Sequence, residues 1–341
     1  MTRIGEVTGE LERIAPRQYQ EDYDNSGLLV GNALEEVRGV LVSLDVTEAV
    51  VAEAEKLDCN LIIAHHPLIF KGLKSVTDSH WIGRVVRRAV KSDISIYAIH
   101  TNLDNVLRSG VNGKIAERLN LVNIRPLSAR RGMLGFSILT PELLADNVRK
   151  SLMAIEPTSL FENAIDYTLP NEGAKISRKF EGVVLPHQQR NLASMAAELG
   201  LNASFWNTSN SHPDLGSGLV GEFEMPVVED TFLEKLKSQM KTPVIRHTKL
   251  QGKSITKVAV CGGAGSFLLK SAIGAGAEAF VTADFKYHDF FEADDKIVVA
   301  DIGHYESEQF TIDLLFDTIR NKFSTFALHC TKVNTNPVNY F

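Results

Sequence analysis

Short apolar runs alternate with helical patterns along the first third of the chain. The runs predict buried strands at residues 39–45, 61–64 and 94–100, and the helical spacing after each run predicts helices at residues 47–57, 80–91 and 110–119. The hydroxyl of Thr47 stands where it can cap the first of these helices. Strands that are apolar on both faces are typical of a sheet covered by helices on each side.

The last third of the chain repeats this alternation. Apolar runs predict strands at residues 258–261, 279–282 and 297–300, and a closing strand at residues 326–329. Between the last two, Phe310, Leu314, Leu315 and Ile319 form an apolar stripe at helical spacing. The two ends of the chain therefore share one α/β pattern.

The middle of the chain, residues 126–215, has a different pattern. Two stretches in it, residues 135–154 and 180–200, each read as a strand followed by a helix. We therefore predict an α/β protein with a mixed or largely parallel sheet flanked by helices, formed by residues 1–125 and 216–341 as a discontinuous core. Residues 126–215 are predicted to form an inserted α+β domain.

Composition and charge exclude several classes of protein. Of the 341 residues, 44% are hydrophobic and 23% are charged, which is typical of a globular protein and not of a disordered one. The net charge of −6 creates no field that would attract nucleic acid or an anionic membrane, and the apolar runs are too short to cross a bilayer. The first residues have no signal-peptide pattern, and the three scattered cysteines form neither a disulfide framework nor a zinc knuckle. We expect a cytoplasmic protein whose partner is a small molecule.

Polar side chains follow the predicted strands where each strand ends. Because the carboxyl ends of parallel strands form the crevice in which α/β proteins bind ligands, these residues are candidates for a site. Solvated loops would also collect polar residues, but they would not explain so many histidines and carboxylates. The residues at these strand ends are Asp45, His65, His66, His100, Asp104, Asp284, His304 and Glu308.

The adjacent pair His65 and His66 suggests metal chemistry. In a regular strand neighbouring side chains point to opposite faces, so the two rings could not bind one ion but could each bind one of two neighbouring ions. The alternative is that each histidine is a hydrogen-bonded structural residue. His304 and Glu308 are four residues apart at the start of a helix and therefore lie on one face, where they could equally form a surface hydrogen bond.

Taken together, three imidazoles and two carboxylates form a candidate ligand set for metal ions. Such a set suits two divalent ions of zinc, iron, manganese, cobalt or nickel. His100, Asp284 and His288 are candidates for orienting the ligands or for moving a proton, and Asp45 is a candidate for the outer shell. The predicted ligands are His65, His66, Asp104, His304 and Glu308.

A glycine-rich turn follows the first strand of the last third. Gly262, Gly263 and Gly265 precede a predicted helix, and their backbone amides could bind a phosphate. A tight turn without ligand contact is the alternative. Cys261 stands on the same turn, where its apolar neighbours favour a buried and unreactive thiol over a nucleophile.

Several of these stretches resemble those of the GTP cyclohydrolase I type 2 homologue family, also called the Nif-three-like family. The resemblance covers residues 1–125 and 216–341. The motifs that carry it are Asp24-Asn-Ser-Gly-Leu28, Ala64-His-His-Pro67, His100-Thr-Asn-Leu-Asp104, Cys261-Gly-Gly-Ala-Gly265, Asp284-Phe-Lys-Tyr-His288, Gly303-His-Tyr-Glu-Ser-Glu308 and Thr335-Asn-Pro337.

The resemblance implies a dinuclear metal protein that assembles as a hexameric ring, with the metal sites facing an internal cavity. The family's ligands fall on the same five residues that the strand ends provide. Longer members carry an inserted domain similar to PII or CutA folds, which fits the position of the middle segment. The chain departs from the family at residues 201–206, where a His-Pro-Tyr-Glu-Glu element is absent, and at Ala283, which replaces a glycine.

Two functions of different classes follow from these observations. The first is a metal-dependent hydrolase that acts on a nucleotide or related phosphate-bearing molecule, including ring opening of the GTP cyclohydrolase kind, through a water activated by the ions. The second is a non-catalytic metal- or nucleotide-binding protein with a regulatory or chaperone role. An open coordination position on the ion separates the two, because a catalytic site needs one.

Overall fold

The structure is a computed structural model that describes residues 1–169 and 173–341, without the side chains of residues 166–169 and 173–176. The chain divides into two compact units. The first unit combines Met1–Ser128 with Asp214–Phe341, and the second is Ala129–Pro213. The sequence pattern predicts these divisions at residues 125/126 and 215/216.

The first segment alternates strands and helices as its pattern predicts. Thr47 caps the first predicted helix, since its hydroxyl accepts a hydrogen bond from the Val50 amide at 3.3 Å. The N-terminal helix and the strands at residues 27–30 and 122–129 were not among the predicted elements. The segment contains α1 (Ile4–Ile14), β1 (Gly27–Val30), β2 (Gly39–Ser43), α2 (Glu48–Lys56), β3 (Leu61–Ala64), α3 (Trp81–Lys91), β4 (Ser95–Ala98), α4 (Thr101–Asp104), α5 (Val111–Leu119) and β5 (Val122–Ala129).

The second unit is an α+β unit with its own core. Its sheet has the order β7-β8-β6-β9 with antiparallel neighbours, and Phe136, Phe180 and Leu192 are buried at its centre. Its likeness to PII or CutA folds remains a prediction. The elements are β6 (Leu134–Pro141), α6 (Ala145–Ile155), β7 (Ser159–Leu169), β8 (Gly173–Val184), α7 (Gln189–Glu198) and β9 (Ala203–Asn207).

The last segment returns to the first unit. One strand is longer than predicted, because it continues past Cys261 through the glycines to Ala264. The elements are β10 (Gly216–Val228), α8 (Glu229–Met240), β11 (Arg246–His247), β12 (Ser254–Ala264), α9 (Leu269–Gly274), β13 (Ala279–Ala283), β14 (Val298–Asp301), α10 (His304–Glu308), α11 (Thr311–Lys322) and β15 (Ala327–Cys330).

The first unit contains two mixed sheets, so the predicted α/β class is confirmed. One sheet has the order β1-β4-β3-β2-β15, parallel except for β1. The other has the order β11-β14-β13-β12-β10-β5, in which β12, β13 and β14 are parallel. Each end of the chain therefore contributes to both sheets, because β15 joins the first and β5 joins the second. The alternation of strands and helices in the sequence does not reveal this exchange.

The core explains why the central strands are apolar on both faces. Val40 and Val42 belong to a large cluster that also contains residues of α1, α5, α8 and α11 and of the second sheet. Leu41, between them, faces the opposite side, where α2 and α3 cover the first sheet. In the second sheet Val258 and Val260 likewise face the shared cluster.

Helices therefore cover both faces of the parallel strands. Within the residues described, none of the helices combines the length and the apolar character that crossing a membrane requires.

Candidate metal centre

Strand ends of both sheets deliver the candidate ligands to one place in the first unit. His65 and His66 come directly after β3, and their amides donate to the carbonyls of Ser43 and Leu44 at the end of the neighbouring strand β2. Asp104 ends the short helix α4, and α10 presents His304 and Glu308 one turn apart. The fold thus brings together residues separated by more than two hundred positions.

The five predicted ligands lie within a few ångströms of one another. His65, His66 and Glu308 each offer a ligand atom, and these atoms all lie within 4.8 Å, so the three residues could hold a metal ion. Asp104 Oδ1 lies 3.5 Å from His65 Nε2, and His304 Nε2 lies 3.4 Å from His66 Nε2.

The positions of His65 and His66 differ from those of a regular strand. Their ring centroids are 5.0 Å apart, and both rings point into the same cluster. The expectation that neighbouring side chains diverge does not apply here, because β3 ends at Ala64 and the two histidines lie beyond it.

The two oxygens of Glu308 face different groups of ligands. Oε1 lies 3.8 Å from His65 Nε2, on the side that also holds Asp104. Oε2 lies 2.8 Å from His66 Nε2 and 3.1 Å from His304 Nε2. The side chain is 3% exposed, so this buried carboxylate lies between two ligand groups.

Two buried atoms of the cluster lack a hydrogen-bond partner in the described residues, namely His65 Nε2 and Asp104 Oδ1. Leaving buried polar atoms unpaired is costly. Their separation of 3.5 Å is close to the ~3.4 Å expected for two ligands of one tetrahedral ion with bonds of ~2.1 Å. The donor set also combines imidazoles with carboxylates, which zinc and similar divalent ions prefer. The residues therefore fit a metal ion.

Acceptors behind the histidines fix their rings. His65 Nδ1 is 2.8 Å from the Ile99 carbonyl, and His66 Nδ1 is 2.7 Å from Asp45. His304 Nδ1 is 2.7 Å from Asp284. Since these oxygens only accept hydrogen bonds, each Nδ1 carries the proton and each Nε2 faces the cluster, as in known metal sites.

The charges of the cluster shift the pKa of its groups. Burial lowers the pKa of His65. For His66, burial is outweighed by hydrogen bonds to Asp45 and Glu308, which raise its pKa to about 10. For His304, burial is outweighed by the Glu308 charge and the Asp284 hydrogen bond, which raise its pKa to about 11.

The two buried carboxylates shift in opposite directions. Burial and the Glu308 charge raise the pKa of Asp104. Burial would also raise that of Glu308, but the charge and hydrogen bond of His304 hold its pKa well below the usual range. The cluster therefore holds protons at places where a cation could replace them.

The three residues predicted to assist the ligands occupy different places. His100 Nδ1 donates to Asp24 at 2.7 Å, and its ring packs at 5.4 Å from that of His65. Asp284 supports His304. His288 packs against Tyr287, and the described residues include no contact between it and the ligands. The shuttle role of all three stays a prediction.

The glycines predicted to form a turn lie at the end of β12, where Gly263 allows a close approach. Gly263 has φ +63°, and a Cβ there would lie 2.5 Å from Glu308 Oε1. The amides of Gly262 and Gly263 already donate to Asn112 Oδ1 and Ser307 Oγ. The predicted phosphate contact of Gly262, Gly263 and Gly265 therefore remains a prediction. Burial raises the pKa of the Cys261 thiol, which agrees with an unreactive cysteine.

Two cavities reach the cluster from different directions. One of about 470 Å³ is lined by His66, His304 and the chain near Asn336, and one of about 210 Å³ is lined by Asp104, His304 and Glu308. A small molecule could thus reach the ligands from either side.

Two residues near these cavities were not singled out from the sequence. Asp24 has a fully buried side chain that orients His100, although its Asp-Asn-Ser-Gly stretch was a motif of the resemblance. Arg246, in the larger of the two cavities, carries no signal in its surrounding sequence. The motif could have pointed to Asp24, whereas Arg246 is recognisable only from the contacts that folding creates.

Comparison with known proteins extends these observations. A Staphylococcus epidermidis protein named GTP cyclohydrolase 1 type 2 homolog is 29% identical over 99% of this chain and all of that protein. A Halalkalibacterium halodurans protein of the same name is 28% identical over 96% of each chain. The crystal structure of a Bacillus cereus protein related to NIF3 matches with a TM-score of 0.83 and 27% identity, over 100% of this chain and 99% of that one.

The family comparison covers almost the whole length. The sequence model of Duf34/NIF3 (NGG1p interacting factor 3) matches residues 2–337, which include both sheets and all five candidate ligands. The chain belongs to the Duf34/NIF3 family.

Proposed function

We propose that the protein is a dinuclear metal-dependent hydrolase that acts on a nucleotide or related phosphate-bearing small molecule. The observation that carries the proposal is the buried Glu308 carboxylate, whose two oxygens face two separate ligand groups. The name GTP cyclohydrolase 1 type 2 homolog, carried by relatives that match the whole chain, supports a substrate of the nucleotide class.

Each oxygen of Glu308 completes one group of ligands. His65 and Asp104 would hold one divalent ion with Oε1, and His66 and His304 would hold the other with Oε2. When bound, such a pair lowers the pKa of water to about 7 and polarises the substrate. Zinc, iron, manganese, cobalt and nickel all accept these ligands.

The chain's own residues orient the ligands and move the proton. Asp45 and Asp284 keep the Nδ1–H tautomers of His66 and His304, which leaves Nε2 of each ring for the ions. Asp24 does the same for His100, and among the described residues Nε2 of that ring makes no hydrogen bond, so we assign it the predicted role of carrying a proton from water beside the ligands. Asp284 and His288 are further predicted carriers of this proton.

The test compares ligand loss with a matched change elsewhere. The double variant of His65→Ala and Glu308→Ala removes one histidine from the first ligand group and the carboxylate that both groups share. We expect bound metal, measured by elemental analysis, to fall below about a tenth of the original, since no complete group remains. Hydrolysis should fall with it in a screen of nucleotides with added manganese, zinc or iron.

The control variant changes the same residue types outside the site. His329 lies in β15 and Glu224 is exposed in β10, so the double variant of His329→Ala and Glu224→Ala should keep its metal and its activity. Circular dichroism must show that both variants are folded. Hydrolysis that survives complete removal of metal would contradict the mechanism. Bound metal without hydrolysis of any nucleotide in the screen would contradict the hydrolase and favour a non-catalytic binding protein.

We also propose that the protein forms a homo-oligomer, with a hexamer as the expected size. Support comes from the family resemblance in the ligand motifs. Light scattering coupled to size-exclusion chromatography measures the mass, and a monomer would contradict the proposal.

A further inference from the structure

A third cavity, of about 700 Å³, lies in the first unit and contains none of the five candidate ligands. It adjoins the metal-site cavity, which is the cavity of about 470 Å³ that is lined by His66 and His304. Its volume is in the range of small-molecule sites, roughly 300–1,000 Å³. One wall is aromatic, and another is the basic stretch at and after β11. These two walls contain Tyr287, Phe290, Phe291, Arg246, His247 and Lys249, and the carboxylates of Asp294 and Asp295 also line the cavity.

The aromatic wall offers flat, exposed ring faces. Tyr287 is 73% exposed and Phe291 is 65% exposed, although both are large apolar side chains. Their centroids are 5.5 Å apart with an interplanar angle of 71°, so the rings form a corner. A planar heteroaromatic ring can stack on such faces, a contact that favours nucleobases of any sequence.

Arg246 connects this cavity with the metal-site cavity, because its side chain lines both. One terminal nitrogen donates to the Phe285 carbonyl and to Asp301, which fixes the guanidinium. In the described part of the chain, Nε and Nη1 donate no hydrogen bond, and the side chain is 55% exposed. These donors match the oxygens of a phosphate.

The aromatic stretch and the candidate metal centre are also joined along the chain. Asp284 accepts the hydrogen bond of His304 and lies three residues before Tyr287. A molecule that stacks on Tyr287 and passes Arg246 therefore arrives beside His66 and His304, which line the adjoining cavity.

We propose that the aromatic cavity binds the base of a nucleotide, whose phosphate contacts Arg246 and extends toward His66 and His304. The inference rests on the proposed function for its class of substrate. It also orients that substrate, since the phosphate and not the base then faces the candidate ligands.

The experiment measures binding to metal-free full-length protein, so that its result does not depend on hydrolysis. GMP is titrated by calorimetry into the original protein, into Tyr287→Ala and into Phe291→Ala. Loss of one stacking ring should weaken GMP binding by roughly 5- to 100-fold. Ribose 5-phosphate, which has no base, should bind at least ten times more weakly than GMP.

The matched control is Phe161→Ala, which removes an exposed aromatic ring from β7 in the other unit. It should bind GMP as the original protein does. Absence of GMP binding to the original protein, or equal binding by all three variants, would overturn the proposal. A change of oligomeric mass in Tyr287→Ala without a change in GMP affinity would also overturn it, in favour of a contact between copies of the chain.

The phosphate contact has a separate measurement. Arg246→Gln should reduce the preference for GMP over guanosine to less than about twofold, while guanosine binding stays within twofold of the original. Guanosine binding also shows that this variant is folded, which matters because Arg246 pairs with the buried Asp301. An unchanged preference for GMP would overturn the assignment of Arg246. None of these binding measurements requires hydrolysis. A protein that binds GMP in this way but hydrolyses no nucleotide would therefore support the binding site and contradict only the proposed hydrolase.

Discussion

Single imidazole rings of the site differ in what contacts their two nitrogens. His66 and His304 have a carboxylate at each nitrogen, whereas His65 has a carbonyl at Nδ1 and no hydrogen bond at Nε2 among the described residues. Carboxylates accept hydrogen bonds, so without an ion His66 and His304 are doubly protonated and His65 is neutral. This difference agrees with the raised pKa of the first two and the lowered pKa of the third.

These protonation states predict that metal binding releases protons. Because the pKa of His66 is about 10 and that of His304 about 11, both rings are protonated at pH 7, and an ion at Nε2 must displace a proton from each. The apparent metal affinity should therefore rise with pH, by about tenfold per pH unit for each proton released. Calorimetry at pH 7 in buffers of different ionisation enthalpy counts these protons.

The Asp45→Asn variant provides the comparison. It removes the carboxylate that raises the pKa of His66, so fewer protons should be released at pH 7. An equal proton count in both proteins, or no release at all, would contradict the protonation states assigned here.

Among the elements, the strands that end at the site and the helices α2, α3 and α5 were predictable, whereas α1 and α4 were not. The apolar runs of β2, β3, β13 and β14 stand out in the sequence because both faces of these strands are buried. The ligand candidates then follow from the rule that α/β proteins bind ligands at the carboxyl ends of their parallel strands. The helix α1 was missed although its buried residues Ile4, Val7 and Leu11 recur at helical spacing.

Two features of the site depend on geometry beyond any single element. The direction of His65 and His66 could not be derived from strand periodicity, because β3 ends before them. The double role of Glu308 needs both sheets to be in place, and the residues that orient His100 and line the cavities come from distant parts of the chain. The spacing of residues in the sequence does not predict such contacts.

A glycine substitution tests the contact between β12 and α10. Gly263→Ala would place a Cβ 2.5 Å from Glu308 Oε1 at a positive φ, so the carboxylate must move. We expect metal affinity to fall by about tenfold or more, in the range typical of disturbed supporting contacts in metal sites. Metal titration with a competing chelator measures this change.

The control variant Gly276→Ala separates the effect of backbone strain from the effect of moving Glu308. Gly276 has φ +73°, but a Cβ there meets no atom within 4 Å. Both variants should lose roughly 1–2 kcal/mol of stability from the left-handed backbone, and only Gly263→Ala should lose metal affinity. Equal affinities in the two variants would show that Glu308 does not depend on this glycine.

For the whole molecule, the candidate centre connects the two sheets of the first unit at their strand ends. Ligands from β3 and α4 belong to the first sheet's side, and those from α10 follow β14 of the second. An ion bound by both sets adds its binding free energy to the folded state, about 2.7 kcal/mol at a free concentration of one hundred times Kd. The second unit contributes no candidate ligand.

Hydrogen exchange should show that bound metal stabilises the first unit and not the second. On addition of manganese or zinc, amides around residues 64–66 and 303–308 should exchange more slowly, while those of β6 in the second unit should keep their rates. Mass spectrometry of exchanged peptides measures both regions in one sample. Slowing that is equal in both regions, or absent near the ligands, would contradict a centre confined to the first unit.

The order of the ligands along the chain has a consequence for biosynthesis. His65, His66 and Asp104 leave the ribosome early, but Glu308, which both ligand groups share, is added only after some nine-tenths of the 341 residues. A nascent polypeptide therefore carries an incomplete set for most of its translation. Metal loading of both ligand groups must therefore follow the synthesis of Glu308, which comes after β3 and β14, the strands whose ends position the ligands.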